Sequence, residues 1–99
     1  MNAENLLPIG SVVTLEGIDM VKLMIIGYYP ENGKTGEIYD YLGVAYPHGL
    51  QLKAQTIGFN KALISEVLYK GLESTESTAV GKALPVLVEI AVAAKNNGQ

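Results

Sequence analysis

Residues 21–46, "VKLMIIGYYPENGKTGEIYDYLGVAY", decide the fold of this 99-residue chain. Residues 21–29 are apolar on both faces of an extended chain, which is typical of a strand in a sheet covered on both sides or in a small curled barrel. Residues 37–46 are rich in tyrosine and branched side chains and indicate another strand. Between them, Asn32 and Gly33 form a strong hairpin signal because both residue types tolerate positive φ. We therefore predict two antiparallel strands joined by a hairpin.

The same stretch contains Gly33-Lys34-Thr35, the end of a phosphate-binding loop motif. That motif needs four residues between its first glycine and Gly-Lys-Thr, whereas residues 28–32 place five after Gly27. A phosphate-binding loop also opens into a helix whose N-terminus points at the anion, and here a strand is predicted. The spacing favours a hairpin with a solvated lysine over a nucleotide site.

Composition excludes several classes of function. Hydrophobic residues make up 48% of the chain and charged residues 17%, which favours a folded domain over disorder. The net charge is −3, so the basic stripe that nucleic-acid binding requires is missing. The absence of cysteine excludes disulfides, thiolate metal sites and cysteine nucleophiles. The single histidine, His48, lies in a predicted turn at 46–49 with no carboxylates nearby, so we expect no metal, no cofactor and no catalytic histidine.

The distribution of apolar residues bears on the location of the protein. The N-terminal residues show no basic region followed by a long apolar core, so no signal peptide is expected. The longest nearly uncharged run, residues 83–94, is broken by Glu89 and is shorter than the ~20 residues of a membrane span. We therefore expect a cytoplasmic protein that does not insert into a membrane.

Further strands flank the predicted hairpin. Residues 10–17 and 67–69 have the composition of short strands. Asn60 is a suitable N-cap for one helical turn over 61–66, because its side chain can accept from first-turn amides. Residues 50–58 are weakly patterned, and we assign them no element.

The last third of the chain predicts a linker and a helix. Residues 72–81 are small and polar, as linkers are. A helix is predicted over 82–97, since Pro85 is best tolerated in a first turn and residues 96–98 offer a C-cap. The fold class is therefore α+β: a small β-rich domain over 1–71 with a curled, barrel-like antiparallel sheet of three to five strands, one short helical turn and a C-terminal helix.

The predicted C-terminal helix is apolar around most of its circumference. Such a helix must be buried on all sides or paired with a partner, and a sheet this small covers only one side. The uncovered side is expected to be an interaction surface; the alternative is a helix tucked between the curled sheet and a loop. The expected partner-binding residues are Leu84, Leu87, Val88, Ile90 and Ala91.

Tyrosine is the main aromatic residue, with six tyrosines against one phenylalanine and no tryptophan. Tyrosine is enriched at protein interfaces, but it is also a good strand former on half-buried faces, and both interpretations stay open. Tyr29, Tyr39 and Tyr41 are further candidates for partner binding. Asp40 could act as a general base; alternatively it faces water or accepts from a turn amide, since strand neighbours alternate in direction. We predict no catalytic residue.

Three segments carry a resemblance to a known family. They are "LLPIGSVVTLEG" (6–17), "KLMIIGYYPENGKTGEIYDYLGVAYPHG" (22–49) and "FNKALISEVLYKG" (59–71). Their motifs Leu-Pro-x-Gly-Ser-Val-Val, Lys-Leu-Met-Ile-x-Gly and Tyr-Asp-Tyr-x-Gly-x-x-Tyr-Pro-x-Gly occur in the expected order. They resemble a small domain-of-unknown-function family encoded beside type VII secretion LXG toxins in Gram-positive bacteria.

The resemblance implies a cytosolic, non-enzymatic chaperone or targeting factor that binds an LXG toxin and promotes its export. The implied partner is the toxin's helical N-terminal region, and other small accessory proteins are further candidates. Residues 72–99 depart from the more acidic, amphipathic tails of the family, so the resemblance leaves their partner open. The alternatives are an immunity protein that binds the toxic domain, a small-ligand-binding or enzymatic domain using Asp40 and the tyrosines, and a homo-oligomer formed through the C-terminal helix.

Overall fold

The computed structural model describes residues 6–53 and 55–97. It has an open five-stranded antiparallel sheet of spatial order β4-β3-β2-β1-β5, followed by one long helix. The elements are β1 (Val12–Leu15), β2 (Lys22–Tyr28), β3 (Tyr41–Tyr46), β4 (Ile57–Phe59), a 3-10 turn (Lys61–Leu63), β5 (Ile64–Tyr69) and α1 (Thr75–Asn97). The predicted α+β class is confirmed, and the sheet does not close into a barrel.

The predicted central hairpin is confirmed, although its second strand is shorter than expected. β2 and β3 pair antiparallel with Lys22 opposite Tyr46 and Tyr28 opposite Tyr41. A shift in register after Ile25 introduces a bulge into β2, which increases the local twist of the strand. The prediction started the second strand at residue 37, but regular pairing begins only at β3, and a single bridge joins Glu31 to Ile38 beyond it.

The turn at the tip of the hairpin is stabilised differently from the prediction. Positive φ occurs at Gly36 (77°) and not at Asn32-Gly33. Asn32 instead accepts hydrogen bonds through Oδ1 from the amides of Lys34 (2.8 Å) and Thr35 (3.2 Å). Asparagine side chains form turns in this way by replacing a backbone acceptor.

The hydrophobic core lies in the sheet. Cross-strand neighbours on one face bring Val13 beside Leu23 and Tyr41 beside Phe59. Leu6 and Leu7, which precede β1, pack against this cluster. Its buried members, each 4% exposed or less, are Val13, Leu15, Leu23, Ile25, Tyr41 and Phe59. Full burial of such a side chain stabilises a fold by about 1.5–3 kcal/mol, so the sheet carries its own stabilising core.

A reciprocal contact replaces the predicted cap of the helical turn. The Asn60 side chain does not cap the turn; its Oδ1 accepts from the Asp40 amide at 3.1 Å. The Asp40 carboxylate in turn accepts from the Lys61 amide at 2.8 Å. The prediction of a helical turn over 61–66 was too long, because β5 already begins at Ile64 and includes the predicted strand at 67–69.

The predicted linker at 72–81 was largely wrong, since α1 begins at Thr75. Ser74 and Ser77 cap each other: the Ser77 amide donates to Ser74 Oγ (3.0 Å) and the Ser74 amide to Ser77 Oγ (2.8 Å). This exchange satisfies amides that have no partner within the first turn. Glu76 adds a favourable charge near the positive end of the helix. As a result Pro85 lies inside the helix and not in its first turn.

Candidate interaction surface

One side of α1 faces the rest of the molecule. A groove of about 390 Å³ separates it from the hairpin. It is lined by Tyr29, Ile38 and Asp40 on the hairpin side, and by Pro85, Val88, Glu89, Val92 and Ala93 on the helix side. The half-buried or buried residues of α1 recur at the spacing of one helical face. They are Ser77, Gly81, Leu84, Pro85, Val88 and Val92.

An exposed ion pair ties the far end of the helix to the hairpin. Lys95 Nζ lies 2.7 Å from Glu31 Oε2, and both side chains are largely exposed to solvent. An exposed pair of this kind contributes about 0–1 kcal/mol. The ion pair therefore contributes little to holding α1 beside the hairpin.

The opposite side of α1 is apolar and faces solvent. Leu87 is 57% exposed and Ile90 is 61% exposed. Lys82 and Glu89 are seven residues apart and so share a narrow stripe between the two sides, and Glu89 also borders the groove. We call the apolar solvent side the outer face; it consists of Val80, Ala83, Val86, Leu87, Ile90, Ala91 and Ala94, all exposed.

The predicted partner-binding residues of the helix divide between the two sides. Leu87, Ile90 and Ala91 lie on the outer face, where a partner can reach them. Leu84 and Val88 are half-buried on the side that faces the body. Substituting Val88 would disturb the packing of α1 on the hairpin, so the outer face is better tested at Leu87.

The predicted tyrosines serve mainly inside the molecule. Tyr41 is 1% exposed and cannot contact a partner, so that prediction was wrong. Its ring lies 5.6 Å from the ring of Phe59, and its hydroxyl accepts from the Leu7 amide at 3.0 Å. Tyr39 packs across Gly58, where a Cβ atom would meet the tyrosine ring at 2.7 Å, and donates to Glu37 Oε1.

Tyr29 has an unusual backbone conformation at the end of β2. Its φ is 57°, a left-handed value that is uncommon for a residue other than glycine. Its amide donates to the Asp40 carbonyl at 3.1 Å, which continues the hairpin ladder beyond β2. Burial raises the pKa of the Tyr29 hydroxyl, and the Asp40 carboxylate raises it further. The phenol in the groove therefore stays neutral to higher pH than an exposed tyrosine.

Tyr28 binds the segment that precedes β1. Its hydroxyl donates to the Leu7 carbonyl at 2.5 Å. Burial raises the pKa of the Tyr28 hydroxyl, and the neighbouring Tyr41 adds to the effect. Tyr28 and Tyr41 together hold both backbone groups of Leu7, which fixes this segment over the core.

The Asp40 carboxylate makes a structural contact. Asp40, the candidate general base, is engaged with the Lys61 amide, as its alternative interpretation predicted. Within residues 6–53 and 55–97, no three histidine, aspartate or glutamate side chains are grouped so that they could hold a metal ion. A second cavity of about 480 Å³ opens on the sheet face opposite the core. It is lined by Gly10, Val12, Lys22, Met24, Tyr46, Leu68 and Tyr69.

The observed helix changes the comparison with a membrane span. Because it begins earlier than predicted, Thr75–Lys95 is long and apolar enough to cross a membrane, a criterion of length and composition alone. Only 6% of the apolar window in it is buried. Lys82 and Glu89 lie within it, and translocon scales assign a charged residue at the centre of a span about 2.5–3.5 kcal/mol.

Sequence reasoning missed the N-terminal part of the outer face. Val80 fell within the predicted linker, so it was not considered a helical residue. The signal was nevertheless present, because Val80 and Ala83 continue the apolar spacing of Leu87 and Ile90 toward the N-terminus. Extending the helical pattern across the small polar residues would have found it.

These features define a class: a small α+β domain whose terminal helix presents an apolar face to solvent. The chain belongs to a family described as a domain of unknown function, DUF4176, whose model matches residues 6–80. The match includes the whole sheet and the first turns of α1, and most of the outer face lies beyond it. No curated protein and no solved structure matches the chain.

Proposed function

We propose that this protein is a non-enzymatic accessory factor that binds another protein through the outer face of α1. The observation that supports the proposal is the exposure of Leu87 (57%) and Ile90 (61%) on the side of α1 that faces away from the hairpin. Covering such side chains stabilises a complex by up to about 1.5–3 kcal/mol each. Contiguous exposed apolar surface of this kind marks interaction sites.

The partner we propose is the helical N-terminal region of an LXG toxin. The resemblance of residues 6–17, 22–49 and 59–71 to the family encoded beside these toxins supports this choice. A second helix can lie along α1 with its side-chain ridges in the grooves of the outer face. In this role the protein acts in the cytoplasm as a chaperone or targeting factor for type VII export, alone or with other small accessory proteins.

Co-purification with the two halves of the neighbouring toxin tests the proposal. The full chain is tagged and co-expressed with either the N-terminal or the C-terminal half. Capture of the N-terminal half is the expected result. Capture of the C-terminal half would assign the protein to the immunity class, and capture of neither would overturn toxin binding.

A pair of matched variants tests the surface itself. Leu87→Glu places a charge in the centre of the outer face and should reduce capture at least tenfold, equivalent to about 1.4 kcal/mol. Thr78→Glu places the same charge on an exposed position of the same helix outside the outer face and should leave capture unchanged. Equal capture by both variants would show that the partner binds elsewhere.

A further inference from the structure

The outer face contains a regular seam. Val80, Ala83, Leu87, Ile90 and Ala94 recur at intervals of three and four residues, and every one of them is exposed. This spacing is that of the a and d positions of a coiled coil, which pack as knobs into holes of a facing helix. The half-buried residues on the body side of α1 form a different stripe. The seam is therefore available to a second helix while α1 stays seated on the hairpin.

We infer that α1 pairs antiparallel with α1 of a second copy of this chain through this seam. An antiparallel arrangement centred at residue 85 brings Ala83 opposite Leu87 and Val80 opposite Ile90. Small side chains then face large ones in the central layers, and the two-fold axis repeats each contact, as in an isologous interface. A parallel arrangement in register would instead set Ala83 against Ala83 and leave space that close packing does not tolerate.

Charge also favours the antiparallel direction. Glu76 lies on the line of the seam in the first turn of α1, and Lys95 lies in its last turn. In the antiparallel arrangement Glu76 comes beside the C-terminal turn that carries Lys95 of the second copy. Lys95 bonds Glu31 of its own chain on the body side of α1, so its attraction for Glu76 of the second copy acts at longer range. In a parallel pair Glu76 would face Glu76, and like charges oppose each other.

The flanks of the seam present no barrier to self-pairing. Coiled coils select their partners through charged residues at the positions that flank the seam. In α1 these flanking positions are apolar, with Val86 on one side and Ala91 on the other. Lys82 and Glu89 lie further round the helix. A pairing of identical helices therefore meets no repulsion between like charges along its length.

The seam exposes apolar side chains that a second copy can cover. Val80 is 43% exposed, Leu87 57% and Ile90 61%. Pairing two copies of α1 removes these side chains of both chains from water, which is the main driving force of protein association.

Self-pairing has a consequence for the proposed function. The dimer covers the surface proposed for the toxin, so a toxin helix has to displace the second copy. This regulatory step rests on the proposed function, whereas the dimer does not. In the absence of the toxin, the second copy would shield the outer face from solvent.

Light scattering on the full chain at about 100 µM tests the pairing. The expected mass is twice 10.6 kDa, Leu87→Glu should be monomeric, and Thr78→Glu should stay dimeric. Circular dichroism verifies that each variant retains its sheet. A monomeric wild-type chain, or a Leu87→Glu dimer, would overturn the inference.

Disulfide cross-linking tests the direction, since the chain has no cysteine of its own. Val80→Cys and Ile90→Cys chains, one of them tagged, are mixed and oxidised. The antiparallel register predicts a mixed disulfide. It also predicts no Val80→Cys homodimer, because the two Val80 positions are offset by ten residues, about 15 Å along the helices, beyond disulfide reach. A Val80→Cys homodimer would overturn the antiparallel register.

Different results would overturn toxin binding and the antiparallel dimer. A monomeric protein that still captures the N-terminal toxin half would overturn the dimer alone. A dimer that captures neither toxin half, even as wild-type chain in excess toxin, would overturn toxin binding alone.

Discussion

Gly71 fixes the joint between the sheet and the helix. Its amide donates to Ser11 Oγ at 2.9 Å, and Ser11 Oγ donates to the Pro8 carbonyl at 2.8 Å. A Cβ atom at Gly71 would lie 2.2 Å from the Ile9 carbonyl oxygen. Only glycine allows the chain to pass so close to this backbone. The direction in which the chain leaves β5 toward α1 therefore depends on this residue.

Gly71→Ala should be strongly destabilising. The added methyl group meets backbone atoms that cannot rotate away, and overpacking of a tight site costs about 1–3 kcal/mol or more. Gly33→Ala is the matched control, because no heavy atom lies within 4 Å of its Cβ position, and surface changes of this kind stay within about 0.5 kcal/mol. Urea denaturation measures both; equal midpoints would show that the backbone at Gly71 can move.

At the residue scale, the sequence predicts the kind of contact that a side chain makes better than it predicts whether that side chain is buried. Alternation within a strand was enough to predict that Asp40 could accept from a turn amide. It was not enough to show that Tyr41 is buried, because the ring that covers Tyr41 belongs to Phe59, in a strand that was not recognised. Burial is set by contacts between distant segments, and a local pattern does not contain them.

At the scale of elements, local signals were reliable and long-range ones were not. The central hairpin was predictable because its turn and both its strands lie within one short stretch. β4 has only three residues and forms by pairing with β3, so its own sequence carries little information. The start of α1 was missed because Ser74 and Ser77, which cap the helix, are also typical of linkers.

Pro85→Ala should stabilise α1. Proline inside a helix is about 3 kcal/mol less favourable than alanine, and it leaves the Gly81 carbonyl without an amide partner. Amide hydrogen exchange over residues 86–92 should slow relative to wild type. The gain should be smaller than the full propensity difference, because the Pro85 ring also lines the groove beside Tyr29.

Thr78→Ala is the control for this prediction. Thr78 is exposed on the same helix, and its replacement improves helix propensity by only about 0.5 kcal/mol. Exchange over 86–92 that is no slower in Pro85→Ala than in Thr78→Ala would mean that the groove contacts of Pro85 offset its cost to the helix.

At the scale of the whole molecule, stabilisation is unevenly distributed. The hydrophobic core consists of strand residues together with Leu6 and Leu7 from the segment before β1. α1 adds half-buried side chains such as Val88 and Val92 and one exposed ion pair with Glu31. The sheet thus acts as a scaffold, and the helix adds a continuous apolar face that is exposed to solvent.

A chain that ends at residue 74 should therefore keep the sheet and lose self-association. Removing α1 takes no member from the core cluster, so circular dichroism should still report strands and thermal unfolding should remain cooperative. The unfolding midpoint should fall, because the groove residues Tyr29 and Ile38 become more exposed to solvent. Light scattering should show a monomer. If the shortened chain lost its strand signal, the contacts in the groove would have to hold the hairpin together. In that case α1 would belong to the core, and its outer face would be the exposed side of a structural helix.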